Sequence, residues 1–332
     1  MKFLLLLTFI SFSFQYSNFF NHWHCIGIKN DIDFSKPYKL NIGDLPLVLW
    51  KGTDNNLITT VNVCKHMGSS LDNGKIKNGC LQCQYHGLEF SYKDNFGETM
   101  NHQGKLFWSY KPINVKPDVI PFYDDNNYVK SFLQIDMDCS LQDSAYNTMD
   151  VRHPEYIHSM GFGSINPPKN IKQYRYNDTV GLDFEYASNK IIRYLNNDVK
   201  STQNSHVYTY PSFSYSMVNF YDNNLIIGVN LLPLENKKTR WFITICHNYK
   251  KSELGKDFMK LLASTILNQD YHQMKNQYPE NELKKEILFE HIFKDEEVIV
   301  WLKDMFQKYE YPDINNCAEL YRDYKETKLY FF

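Results

Sequence analysis

Residues 64–87 read CKHMGSSLDNGKIKNGCLQCQYHG, and the rest of the chain is understood from this stretch outward. It contains Cys64-Lys65-His66 and, after sixteen intervening residues, Cys83-Gln84-Tyr85-His86. Each half offers one thiol and one imidazole in a short loop. Two thiolates on one iron and two neutral imidazoles on the other raise the potential of a [2Fe–2S] centre relative to an all-cysteine cluster. Gly68 and Gly87 follow the two pairs and supply flexible backbone. The β-rich runs Leu57–Val63 and Leu81–Gln82 deliver the loops from rigid strands. The competing reading is a tetrahedral zinc site, to which Cys80-x-x-Cys83 lends a metal-like spacing. A C-x-H pair is not the two-cysteine knuckle of a zinc finger, and Cys80 is read as a bystander beside the cluster.

Composition narrows the remaining possibilities. A chain of 332 residues is long enough for two domains with separate cores. Its 43% apolar and 22% charged residues suit a folded, soluble protein, and a net charge of −2 gives no reason to expect nucleic acid as a partner. The seven cysteines, Cys25, Cys64, Cys80, Cys83, Cys139, Cys246 and Cys317, are odd in number and scattered, which argues against a disulfide framework and for metal binding where thiols stay reduced. Lys2 followed by FLLLLTFISFSF resembles the start of a signal peptide, and the run is too short to span a bilayer. Residues 1–17 are therefore a possible targeting segment. The expected location is cytoplasmic, with an organelle such as a plastid as the alternative.

Strand and turn signals fill the text from Pro37 to about Phe132. Leu45–Lys51 and Leu57–Val63 form a hairpin around the Gly52–Asn56 turn, and Pro112, Pro117 and Pro121 mark connecting structure. Ser140–His158 has helical character. Gly181–Tyr186, His206–Val218, Leu225–Leu232 and Thr239–His247 read as strands, and Glu253–Asn276 and Glu282–Lys308 as helices. Strands first and helices last predict an α+β fold with an antiparallel sheet.

With these elements in place, C-x-H, a gap of sixteen and C-x-x-H closing on Tyr85-His86-Gly87 resembles the Rieske domain of ring-hydroxylating oxygenases. Lys65 and Gln84 stand where many relatives carry proline, which removes no ligand. A second anchor is Asn147-Thr148-Met149-Asp150-Val151-Arg152-His153-Pro154-Glu155-Tyr156-Ile157-His158. Alone, D-x-x-H-x-x-x-x-H also suits ordinary histidines. Downstream of a Rieske motif it is similar to the iron-binding stretch of the same family. There, two imidazoles and a carboxylate on one face of Fe(II) leave the other face open. By that resemblance His153 and His158 are ligands and Asp150 links the two metal centres. Pro154 places the ligands across a helix–turn rather than along one regular helix.

The carboxylate ligand must come from downstream, where Asp295, Glu296 and Glu297 are the candidates. Val298, Ile299, Leu302, Met305 and Phe306 form an apolar helix face. Asp295 falls in the middle of that face, Glu296 beyond its edge and Glu297 nearly opposite. A buried acid on a core-facing stripe needs a partner, which favours Asp295, while acids also suit a first helical turn.

The resemblance implies a possible targeting segment (1–17), a Rieske domain (18–125) and a helix-grip, START-like catalytic domain (126–332). It implies a [2Fe–2S] cluster, a mononuclear Fe(II), and an oxygenase component that hydroxylates, demethylates or desaturates a small organic substrate with O2. A separate ferredoxin or flavin reductase would donate electrons. A homotrimer is implied, with Asp150 bridging His153 to His86 of a neighbouring subunit, since the two metals of one chain in this family are too far apart for fast electron transfer. The alternative is a non-catalytic redox-sensing or ligand-binding protein with a Rieske domain and a START-like pocket.

Overall fold

The computed structural model describes residues 19–158, 167–187, 200–277 and 296–308. The segment 1–17, Asp295 and the first part of the predicted helix Glu282–Lys308 lie outside the described residues. The fold is α+β and divides into two compact units. One runs to Pro117 and includes Leu232–Asn236, and the other comprises Asp118–Leu231 and Lys237–Lys308.

The first unit is built from β1 (His24–Ile28), β2 (Tyr38–Ile42), β3 (Leu45–Lys51), β4 (Leu57–Val61), β5 (Lys75–Lys77), β6 (Cys80–Gln82), β7 (Glu89–Phe90), β8 (Glu98–His102) and β9 (Lys105–Ser109). They form three small sheets, ordered β1-β9-β8, β2-β3-β4 and β5-β6-β7. The predicted β3–β4 hairpin closes at Gly52, whose N–H donates to the Asn56 carbonyl at 2.8 Å, with Asn55 at φ 63°. Strand β4 stops at Val61, short of the predicted Val63, because the Asn62 side chain captures the next turn. Its Oδ1 accepts from the N–H groups of Leu71 and Asp72, both at 2.8 Å, and its Nδ2 donates to Asp72 at 2.8 Å. Val48, Trp50, Ile58, Leu71, Leu81 and Phe90 then pack around the buried Cys64 and Cys83. Each large side chain in that cluster contributes roughly 1.5–3 kcal/mol through burial, so the loops that carry the cysteines are anchored by the unit's own core.

The second unit comprises β10 (Val129–Met137), α1 (Leu141–Met149), α2 (His153–Ile157), β11 (Lys169–Tyr176), β12 (Thr179–Ala187), β13 (Ser201–Thr209), β14 (Phe213–Phe220), β15 (Asn223–Pro233), β16 (Thr239–His247), α3 (Glu253–Lys275) and α4 (Glu297–Lys308). Its antiparallel sheet runs β10-β16-β15-β14-β13-β12-β11. The stretch His206–Val218, predicted as one strand, is two. The chain turns at Tyr210-Pro211-Ser212, and Tyr208 Oη donates to the Pro211 carbonyl at 2.5 Å across the turn. Pro211 has no N–H to give to a ladder, which is why the run breaks there. Strand β11 went unpredicted because it is a largely exposed edge strand of mostly polar residues without clean alternation. Helix α3 begins under Ser252, whose hydroxyl accepts from the Gly255 N–H at 3.2 Å. Among the described residues no helix is long and apolar enough to cross a membrane.

Candidate metal sites

The two cysteine–histidine loops of the first unit share one backbone design. The Cys64 N–H donates to Ser69 O at 2.8 Å and the Gly68 N–H returns to Cys64 O at 2.9 Å. In the second loop Cys83 donates to Leu88 O at 2.8 Å and Gly87 returns to Cys83 O at 3.0 Å. Gly68 and Gly87 both have φ 76°. A Cβ on Gly68 would meet nothing within 4 Å, so the left-handed dihedral, not space, calls for glycine.

The cysteines are buried, at 4% and 2% exposure, while His66 and His86 lie at the surface. The N–H groups of His66 and Met67 face the Cys64 sulfur, and those of Tyr85 and His86 face Cys83. Burial still raises the Cys64 thiol above its ordinary range. At Cys83 burial pushes the same way but is outweighed by those donors together with Cys64, and the thiol falls below the ordinary value. Nδ1 of His66 and Nδ1 of His86 stand 3.1 Å apart with ring centroids 4.6 Å apart. Two nitrogens bound at about 2.1 Å to one tetrahedral ion would stand about 3.4 Å apart, so the facing imidazoles suit a shared metal. Two buried sulfurs cradled by N–H donors and two outward imidazoles fit a mixed-ligand [2Fe–2S] group. Cys80 lies on the face of β6 opposite Leu81, paired with Lys77, away from the core cluster that holds the other two thiols.

In the second unit, α1 ends at Met149 and α2 starts again at His153 with Pro154 in its first turn. Asp150 fills the gap between them. Its Oδ1 accepts from Arg152 N at 2.7 Å and His153 N at 3.2 Å, while Oδ2 lies 3.6 Å from His153 Nδ1. The Tyr186 hydroxyl ties the same segment down through the Val151 carbonyl.

His153 and His158 then converge with a carboxylate the sequence reading did not weigh. Asp270, on α3, puts Oδ1 3.1 Å from His158 Nε2 and 3.5 Å from His153 Nε2, and these ligand atoms all lie within 4.8 Å of one another. Asn147 Nδ2 reaches the same Asp270 oxygen at 3.4 Å. His158 Nδ1 meets Gln269 Oε1 at 2.8 Å, which leaves its Nε2 lone pair facing the carboxylate. Burial opposes the charge on Asp270, yet His153 and His158 hold its carboxyl down at about 2. Burial likewise opposes protonation of His153, and Asp150 and Asp270 overcome it, raising that imidazole to about 9. A buried anion attracting protons onto adjacent imidazoles fits a site for a cation.

Of the predicted acids, Asp295 lies outside the described residues. Glu296 lies 3.8 Å from Arg152 as an ion pair, and Glu297 opens α4. Asp270 thus joins Asp295 as a candidate for the carboxylate, and a signal for it was present in the sequence. Met259, Ala263, Asp270 and Met274 form the buried stripe of α3, so an acid interrupts an apolar face one helix earlier than the one considered.

The three candidate ligands are among the residues that line a cavity of about 190 Å³. Strand alternation builds its wall. Phe184, Asn204, Val218 and Leu225 are register partners across β12–β15, and His206, Ser216 and Ile227 form the neighbouring row. Burial, aided by the charge of His153, lowers His206 to about 4 and keeps it neutral. The wall therefore comes from strands β12 to β16, and α3 adds Ala263, Ile266 and Leu267.

A model of the Rieske [2Fe-2S] domain matches residues 22–107. The oxygenase component of dicamba O-demethylase from Stenotrophomonas maltophilia is 26% identical over 163 residues, which are 42% of this chain and 47% of that protein. A probable 3-ketosteroid-9-alpha-monooxygenase oxygenase component from Rhodococcus rhodochrous is 33% identical over 162 residues, 41% of this chain and 40% of that protein. The chain thus spans about half the length of the curated relatives it matches. The crystal structure of dicamba monooxygenase bound to 3,6-dichlorosalicylic acid has the same fold, with a TM-score of 0.77 at 15% identity over 87% of this chain and 97% of that one. The chain thus carries a Rieske [2Fe-2S] domain over residues 22–107, is similar in part to oxygenase components, and shares its fold with dicamba monooxygenase.

Proposed function

We propose that the chain is an oxygenase component in which Cys64, His66, Cys83 and His86 hold a [2Fe–2S] cluster and His153, His158 and Asp270 hold a mononuclear ferrous ion. The observation that carries this reading is the convergence of two imidazoles and one buried carboxylate on the wall of a largely apolar cavity, in a chain with a Rieske domain. Bound there, the two groups supply stored electrons and dioxygen activation, the chemistry needed to hydroxylate, demethylate or desaturate a small organic molecule. The chain's own residues do the rest. Gln269 fixes the tautomer of His158, Asp150 orients His153, and the cavity wall keeps bulk water from the substrate. Electrons come from a separate ferredoxin or flavin reductase. Asp150 keeps a carboxylate oxygen that can accept from a further donor, and we assign it to His86 of a neighbouring subunit in a homotrimer.

Iron analysis tests the reading. The holoprotein should hold about three iron atoms per chain, and its reduced form should give the low-average-g electron paramagnetic resonance signal of mixed Cys/His ligation. About two irons per chain would favour the redox-sensing or ligand-binding alternative. A four-cysteine spectrum, or zinc in place of iron, would falsify the cluster assignment.

A further inference from the structure

Apart from the candidate ligand His153, the described cavity wall leaves two polar groups unmet. Thr202 and Asn204 satisfy one another, the Asn204 amide donating to Thr202 O at 3.0 Å and to Thr202 Oγ1 at 3.1 Å. His206 differs. The Thr148 carbonyl holds a proton on one ring nitrogen, while Nδ1 is buried without a hydrogen-bond partner. In a neutral imidazole that leaves Nδ1 as an acceptor. Ser214 Oγ, two residues along β14 from Ser216 and so on the same face, is also buried and unpartnered. An unmet buried polar group is costly, and one on the wall of a cavity is met by what enters it.

The rest of the wall sets size and charge. Leu225, Ile227, Val229 and Ile243 face the polar strip with aliphatic groups, and Trp241 turns its N–H away to Ser144 Oγ at 3.0 Å. Among the described residues lining the cavity there is no lysine or arginine to receive an anion, and Asp150 and Asp270 would repel one. A cavity of about 190 Å³ compares with the roughly 150 Å³ that accepts benzene.

We propose that the substrate is a compact, uncharged, ring-sized molecule with one hydroxyl or N–H group, which it donates to His206 Nδ1 while its apolar body lies against β15 and β16. This rests on the oxygenase reading and adds the substrate class. Ser214 is placed to meet a second polar atom of the same molecule.

The test uses oxidised full-length holoprotein without reductant, so that binding is read apart from turnover. Calorimetric titration compares phenol, toluene and benzoate, which share a ring and differ in donor and charge. A merely apolar cavity prefers toluene. The proposed site binds phenol about ten-fold tighter than toluene, the effect of one buried hydrogen bond, and discriminates against benzoate. His206→Phe should abolish the phenol preference. Tighter binding of toluene or benzoate, or binding of none of the three, overturns the proposal on wild-type protein alone. A phenol preference that survives in His206→Phe overturns the assignment to that residue. Iron content of the same samples separates the two claims, because about two irons per chain would reject the oxygenase reading whatever the ligand preference.

Discussion

Asp270→Asn keeps the shape of the carboxylate and removes its charge, so it isolates what the charge does. The group is 5% exposed, and its carboxyl is held at about 2 against an ordinary 3.8 even though burial pushes the other way. The neighbouring imidazoles thus favour the charged form against the cost of burial. Removing one partner's charge from a buried ion pair costs roughly 3–5 kcal/mol, more than a hundred-fold in an equilibrium constant. A divalent ion held by the same oxygen doubles the opposing charge, so its affinity should fall by at least about a hundred-fold. The assay is iron per chain together with the spectrum of the reduced cluster. Asp270→Asn should fall from about three irons to about two, keep a normal cluster signal and lose oxygen consumption with substrate. Retention of all three irons in Asp270→Asn, combined with loss of one in Asp295→Asn, would refute the reasoning and restore the late-helix acid.

Gln269→Leu removes the partner of His158 Nδ1 and should weaken mononuclear iron binding by about ten- to a hundred-fold, read by chelator competition. Asp150→Asn should retain both metal centres and slow reoxidation of a reduced cluster by dioxygen in single-turnover stopped flow, and a wild-type rate would remove Asp150 from the electron route. Lys105 is 1% exposed, and burial lowers its ammonium from 10.5 to about 8, with Cys25 opposing. Between those values the unfolded chain binds more protons, so stability should rise with pH from about 8 to 10.5 and fall short below it. Lys105→Met should flatten that slope and raise the pH 7 melting temperature by an amount equivalent to roughly 2–3 kcal/mol, and a lowered melting temperature would contradict this.

Much of this was legible in the sequence because metal chemistry restricts residue choice so strongly. The Cys64–His66 and Cys83–His86 pairs leave few ligand sets, and Pro154 announced the break that separates α1 from α2. Strand β16 matches its prediction at both ends, since its turn and its apolar run are local signals. What escaped was non-local. Asp270 joins His153 only because α3 folds back across more than a hundred residues of sheet, a placement no periodicity within α3 encodes. The break at Pro211 was readable in principle, but the aromatic and β-branched residues on both sides masked it.

The alternation of the large sheet has a consequence for how this protein can change. Backbone ladders fix the register of β12 to β15, while only every second side chain of those strands faces the cavity. Exchanging Val218, Leu225 or Ile227 for another residue of similar volume reshapes the chamber and leaves the hydrogen bonds of the ladder untouched. The proposed iron ligands, His153, His158 and Asp270, lie outside that ladder. Chemistry and selectivity are thus carried by separable parts of one scaffold, and new substrates are reachable by small steps that spare both the metal site and the fold.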